Sequence, residues 1–207
     1  MKIQETIQQV AARLDSADLC YGHGTDNPLD EAFYLIYGLL DIDFADEQAA
    51  QRELNVGEEV MLEAAVKRRI DERVPTAYLV RRAWFAGHEF YCDERALVPR
   101  SPLAELINGE FEPLLHEPAA KVLDICTGGG SIGIATALLW PDCEVDLVDI
   151  SSDALDLAKK NIARHGLGNR VRAIESDLFD GIGSRYDLIL ANPPYVPVEE
   201  YDELPAE

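Results

Sequence analysis

Lys121-Val122-Leu123-Asp124-Ile125-Cys126-Thr127-Gly128-Gly129-Gly130-Ser131-Ile132-Gly133 decides the fold. Val122 to Ile125 is an apolar run of strand length, and an apolar helical pattern follows from Ile132 to Leu139. Between them lies a turn with three consecutive glycines. Strand, glycine-rich turn and helix in this order open a nucleotide-binding α/β unit, because glycine lets the backbone approach a nucleotide closely. The turn by itself suits many dinucleotide folds. No Gly-Lys-Ser/Thr follows, which excludes a phosphate-binding P-loop.

Toward the C-terminus the same alternation continues. Glu144 to Ile150 reads as a second strand, Ser152 to His165 as a helix, Val171 to Ile174 as a third strand, and Tyr186 to Ala191 as a fourth. This alternation predicts a parallel, doubly wound sheet, whose ligands bind outside the carboxyl ends of the strands. Asp149 closes the second strand and suits a ribose diol, which a carboxylate grips with two hydrogen bonds. The alternative is a solvent-facing aspartate capping the next helix, a task that Ser151 or Ser152 also suits. Asp177-Leu178-Phe179 follows the third strand; Asp177 suits an exocyclic adenine amine, or else sits in an ordinary turn.

Asn192-Pro193-Pro194-Tyr195 ends the fourth strand. Asn192 and Pro193 each precede a proline and are pushed toward extended conformations. The prolines fix φ and lack N–H groups. In this stiff segment an asparagine oxygen and a neighbouring carbonyl can accept both hydrogens of a planar NH₂ group. Four successive strand ends then present an adenine nucleoside site with a clamp for an amide or amine nitrogen.

Upstream, residues 1–75 read as helical. Candidate helices are Ile3 to Leu14, a second opened by Asn27 as N-cap with Pro28 in the first turn, and Glu58 to Arg73. In the third, Val60, Met61, Ala64, Ala65 and Ile70 form the expected apolar face, and Pro75 is the expected stop. Trp84 to Tyr91, two aromatic pairs around Gly87, predicts a β-hairpin. After Leu97-Val98-Pro99-Arg100 a helix is expected over Leu103 to Leu115.

The 207 residues carry 18 Lys and Arg against 39 Asp and Glu, a net charge of −21. The imbalance is spread along the chain, with 7 basic and 16 acidic residues up to residue 80 and 11 and 23 beyond. Such a field repels nucleic acid and attracts a basic protein. The one basic concentration, Lys67-Arg68-Arg69 with Arg73, Arg81 and Arg82, reads either as a solvated helix face paired to Glu63, Asp71 and Glu72 or as a contact for ribosomal RNA or an acidic patch on the substrate. Four scattered cysteines, four scattered histidines, no signal peptide and no long apolar run predict a reduced, cytoplasmic protein with no metal site and no membrane contact.

The strand-end residues resemble the class I S-adenosylmethionine-dependent methyltransferases, and Asn-Pro-Pro-Tyr resembles the members that methylate planar nitrogens. Asp124-Ile-Cys-Thr-Gly-Gly-Gly, Val148-Asp149-Ile150-Ser151, Ser176-Asp177-Leu178-Phe179, Trp84-Phe85-Ala-Gly-His-Glu-Phe90 and Leu97-Val98-Pro99-Arg100-Ser101-Pro102 are together similar to the protein-glutamine N5-methyltransferases. Cys126 and Ser101-Pro102 resemble the branch that modifies large-subunit ribosomal protein number three rather than the release-factor branch. The resemblance covers residues 70–207 strongly and the helical N-terminus loosely.

It implies S-adenosylmethionine as cofactor and a basic ribosomal protein as substrate. It implies that Gly128 and Gly130 line the methionine moiety, with Thr127 in the same turn, and that Asp124 sits near its amino group. Asp149 with Ile150 would hold the ribose, and Asp177 with Leu178 the adenine. Asn192 and the Pro193 carbonyl would orient the glutamine amide, beside Tyr195 or with Tyr195 an ordinary loop aromatic. Arg100 would pack over the cofactor or serve as a surface ion pair. The implied division is a helical substrate-recognition domain at 1–75, a hairpin linker at 76–102 and a methyltransferase domain at 103–207. Rival expectations are a nucleic-acid amino methyltransferase sharing the Asn-Pro-Pro-aromatic loop, and a non-catalytic cofactor-binding scaffold. Class I sheets usually have seven strands and four are identifiable here, so a sheet cut short at its C-terminal end is expected, with its fourth strand an apolar edge. Oligomeric state is left open.

Overall fold

A computed structural model describes residues 1–22 and 24–195. His23 and residues 196–207, the end of the expected methyltransferase domain, lie outside the described residues. The chain divides into two compact units, one of Met1–Arg82 and one beginning at Ala83.

In the first unit, α1 (Ile3–Asp15) buries Ile3, Ile7, Val10, Ala11 and Leu14 along one stripe. α2 (Pro28–Leu39) starts as expected, with the Asn27 side chain accepting from Asp30 N at 2.9 Å. α3 (Val56–Asp71) opens with a reciprocal cap: Glu58 N donates to Asn55 Oδ1 and Asn55 N to Glu58 Oε2. Its buried face is Leu62, Ala65, Val66 and Arg69, whereas Val60 and Met61 are exposed. The expected apolar face is therefore rotated. Arg69 can occupy the buried stripe because its guanidinium pairs with Glu31, also buried, and donates to Cys20 O at 2.9 Å. Pro75 does not stop α3, which ends in a turn where Arg73 is left-handed at φ 55°. It starts a further short helix, α4 (Thr76–Val80), which sequence periodicity is too short to reveal.

The second unit contains the expected hairpin, β1 (Arg82–Phe85) and β2 (His88–Tyr91). Ala86 and Gly87 both have positive φ, the geometry that matches the twist of a two-residue hairpin turn. Phe85 and Phe90 pack in the same core as Val122, Trp140 and Leu147. α5 (Leu103–Asn108) is shorter than the expected Leu103 to Leu115. The chain reverses through left-handed Glu110 and Phe111, and the Phe111 ring turns inward to meet Trp140 at 5.1 Å between centroids.

Strands β3 (Lys121–Ile125), β4 (Glu144–Asp149), β5 (Val171–Glu175) and β6 (Leu188–Ala191) form one parallel sheet in the order β5-β4-β3-β6. α6 (Ser131–Leu139) packs on β3 and β4, and α7 (Ser152–Arg164) on β4 and β5. The fold is Rossmann-like α/β. β4 stops one residue earlier than expected, leaving Ile150 68% exposed. β6 starts at Leu188 rather than Tyr186, because Tyr186 sends its hydroxyl to Asp146 Oδ2 at 2.8 Å and Asp187 Oδ2 accepts from Lys121 N at 2.9 Å. Among the described strands β6 is an edge, with Ile189 half exposed. Strand order reverses between β3 and β6, and that reversal makes a crevice at the carboxyl ends of the strands.

Candidate active site

All four strands run the same way, so the segments that follow them share one edge of the sheet. Across that edge the order is Asp177 after β5, Asp149 at the end of β4, the glycine turn after β3, and Asn192 after β6. Neighbouring strands are about 4.8 Å apart, so this row spans on the order of 14 Å. Register tightens the placement: Ile125 pairs with Ala191, which puts Cys126 and Asn192 one residue past the same rung.

Asp124 is the electrostatic centre of the turn. It is wholly buried, and its Oδ2 accepts from Thr127 Oγ1 at 2.5 Å and Gly133 N at 2.9 Å. Oδ1 has no hydrogen-bond partner among the described residues. Burial pushes this carboxyl up to about 6, the two hydrogen bonds pull it down, and the nearby Asp149 charge adds to the rise. A buried carboxylate oxygen without a donor is costly, and an ammonium group is the kind of ligand that would relieve it.

The turn itself is held from several sides. Thr127 N donates to Val148 O, Gly128 N to Asp149 Oδ2 at 2.8 Å, and Gly130 N to Thr127 O. Cys126 takes φ 56°, a left-handed conformation that ordinarily favours glycine. Its thiol is held above the ordinary range by burial and then by Asp149, Asp124 and Asp177. Gly130 is left-handed at φ 84°, and a Cβ there would press on Leu147, Ile134 and Ala158. So Gly130 serves strand–helix packing, while among the described residues Gly128 faces only Ala96.

Asp149 is not the cap of α7; Ser151 is, accepting from Ala154 N at 3.2 Å. Asp149 instead ties Gly128 N and, through Oδ1, Ser151 N at 3.0 Å. Each of its oxygens keeps a second lone pair for a ligand. Asp177, Leu178 and Phe179 are exposed, with Leu178 left-handed at φ 49°. Asn192 is half-buried, whereas Pro193, Pro194 and Tyr195 are exposed, Tyr195 by 81%. Ile150 and Arg100 are also on the surface.

Sequence reasoning assigned no role to two residues of this site. Gly133 N supplies one of Asp124's two hydrogen bonds. Asn161, on α7, donates to Gly129 O at 2.8 Å. The available signal for Asn161 was an amide within the apolar stripe of Ala154, Leu155, Leu157, Ala158 and Ile162.

Four members of the basic concentration are tied within the protein, while Lys67 and Arg81 are exposed. Arg68 pairs with Glu72, Arg69 with Glu31 and Arg82 with Asp41, while Arg73 donates to Asp18 O. Among the described residues no helix is long and apolar enough to cross a membrane.

Comparison with known proteins adds three findings. The family described as methyltransferase small domain matches residues 111–203. A ribosomal protein uL3 glutamine methyltransferase of Francisella tularensis subsp. tularensis is 40% identical over 99% of this chain and 67% of its own length. The protein of the same name from Burkholderia pseudomallei is 39% identical over 99% of this chain and 70% of its own. Among solved structures, a SAM-dependent methyltransferase from Agrobacterium tumefaciens aligns over 55% of this chain and 39% of its own at 28% identity and TM-score 0.44.

Proposed function

The chain belongs to the ribosomal protein uL3 glutamine methyltransferase family, and we propose that it moves a methyl group from S-adenosylmethionine to the side-chain amide nitrogen of a glutamine in that ribosomal protein. The observation that carries the cofactor part of this reading is the buried Oδ1 of Asp124, unpartnered among the described residues, beside a left-handed glycine turn. Asp124 would take the cofactor's amino group, with Thr127, Gly128 and Gly130 shaping the backbone beside its methionine part. Asp149 and Ile150 would take the ribose, and Asp177 and Leu178 the adenine, and Arg100 would pack over the cofactor. The half-buried Asn192 would accept one amide hydrogen of the substrate glutamine and the Pro193 carbonyl the other, with Tyr195 lining the slot.

The bound cofactor supplies an electrophilic methyl group on a sulfonium. What the chain must add is alignment, because an amide nitrogen is a poor nucleophile whose lone pair is delocalised into its carbonyl. Holding both N–H groups fixes the nitrogen in line and raises its electron density as it reacts; proximity and orientation contribute about 7–11 kcal/mol in favourable cases. The amide nitrogen would gain the methyl group as the methyl's bond to sulfur breaks, leaving S-adenosylhomocysteine, and would release a proton to water.

We assign residues 1–75 to substrate recognition, 76–102 to a connecting hairpin and 103–207 to methyl transfer. The charge of −21 supports a basic protein partner. The pairing of Arg68, Arg69 and Arg82 with carboxylates speaks against an RNA-binding patch there. A ribosomal substrate supports a cytoplasmic reaction. The test is transfer from methyl-labelled S-adenosylmethionine to ribosomal protein uL3, a release factor or ribosomal RNA. Label in a glutamine of uL3 is expected. Label in RNA alone would replace the reading with nucleic-acid methylation, and no label in any substrate, despite cofactor binding, with a scaffold.

A further inference from the structure

We propose that Asn161 is the positioning residue of the glycine turn, clamping it to strand β2 of the hairpin; the functional half of this inference rests on the cofactor reading above. Asn161 is 1% exposed on α7, on the side facing both elements. Its Oδ1 accepts from Tyr91 N at 2.7 Å, and its Nδ2 donates to Tyr91 O at 3.1 Å and Gly129 O at 2.8 Å. Both amide hydrogens are therefore used, and the orientation of the amide is set, since a flip would place NH₂ against the Tyr91 N–H. Toward Tyr91 the side chain imitates a neighbouring strand, with one donor and one acceptor.

The consequence for the turn follows from the planarity of the peptide bond. The Gly129 carbonyl and the Gly130 N–H belong to one peptide plane. Asn161 holds the carbonyl, and Thr127 O accepts from the N–H at 2.9 Å. That plane is pinned at both ends. Two planes back, the Thr127–Gly128 plane is held through Gly128 N by Asp149. Glycine residues have wide conformational freedom, so a turn of three needs such ties to keep one shape before a ligand arrives. Asn161 touches no position assigned to substrate or cofactor, and it acts through Gly129.

Truncation of Asn161 frees the plane, whereas a packing loss on the same helix does not. The comparison is Asn161→Ala against Ile162→Ala, since Ile162 is buried on α7 but makes no tie to the turn. Two readouts are used on the full chain: amide hydrogen exchange at Tyr91, Gly128 and Gly130, and the dissociation constant for S-adenosylhomocysteine by calorimetry. In Asn161→Ala these amides are expected to exchange at least tenfold faster and the dissociation constant to rise at least tenfold. Ile162→Ala should change neither by more than about twofold after correction for global stability. Unchanged turn exchange in Asn161→Ala, or equal changes in both variants, would overturn the clamp. Wild-type protein that shows the exchange pattern without binding S-adenosylhomocysteine would leave the clamp standing and defeat the cofactor reading instead.

Discussion

Gly133 N lies 2.9 Å from Asp124 Oδ2, so the first turn of α6 donates to a carboxylate buried in β3. The contact requires glycine at that position. A Cβ on residue 133 would stand 2.2 Å from Leu147 Cδ2 and 3.0 Å from Asp124 Cβ. Helix, strand and candidate ligand carboxylate are thus set by one close approach.

Gly133→Ala should therefore destabilise the second unit by overpacking, by about 1–3 kcal/mol, and displace α6 from Asp124. Urea unfolding followed by tryptophan fluorescence checks this. A midpoint unchanged from wild type would show that the close approach relaxes freely.

Asp124 makes stability depend on pH. Its folded carboxyl sits at about 6, above the ordinary 3.8, because burial disfavours the charge. The folded state then holds the proton more tightly than the unfolded one. Its stabilising contribution is fully present below about pH 4 and is lost as pH rises through about 6, on the order of 1–3 kcal/mol. Asp124→Asn keeps an oxygen for Thr127 and Gly133 and carries no charge. It is expected to flatten the stability profile between pH 4 and 6 and to weaken S-adenosylhomocysteine binding at pH 7.5. Stability and function are opposed at this residue. A profile that keeps its slope in the variant assigns the pH dependence to another group.

Asn192→Ala should abolish glutamine methylation while changing cofactor affinity less than about threefold. Single-turnover methyl transfer and calorimetry read the two effects separately. Methyl transfer at wild-type rate in that variant removes Asn192 from the reaction.

Arg69→Ala strands a buried carboxylate, because among the described residues Glu31 would keep only its Thr76 and Thr25 hydroxyl donors. Breaking a buried pair in this way typically costs about 3–5 kcal/mol. Arg69→Met with Glu31→Gln should recover most of the loss. Thermal unfolding by circular dichroism distinguishes the two, and equal losses would show that the pair itself, rather than the stranded charge, sets stability.

The cysteines should differ sharply toward iodoacetamide at pH 8. Burial pushes the Cys92 thiol up to about 12 and the Cys143 thiol up to about 11, and Cys126 is raised as well, so each carries less thiolate than an ordinary cysteine. Exposed Cys20 is expected to label first, and Cys92 and Cys143 only on unfolding. Peptide mass mapping over time checks the order; early labelling of Cys92 contradicts the burial.

Legibility tracked how local each signal was. Helix caps such as Asn27 with Asp30, the hairpin around Gly87 and the alternation from Lys121 to Ala191 involve neighbours in sequence, and they read correctly to within a residue or two. The buried face of α3 did not, because Arg69 is buried only by virtue of Glu31, 38 positions away. The length of α5 failed for a similar reason: Phe111 leaves the helical path to meet Trp140. For Asn161 the local pattern showed an amide in an apolar stripe but not its partners, since its three bonds reach residues 32 and 70 positions distant.

The sequence by itself determined the strand–turn–helix alternation, the acidic field and the residue types at four strand ends, since these depend on local periodicity and on composition. Only the tertiary structure decided the order β5-β4-β3-β6 that sets Asp177, Asp149, the turn and Asn192 in a row. It alone left Asp124 Oδ1 buried without a donor and drew Asn161 to Gly129. Parallel strands pair across long stretches of chain, and the burial and hydrogen bonding that give these groups their chemistry exist only once that pairing has formed.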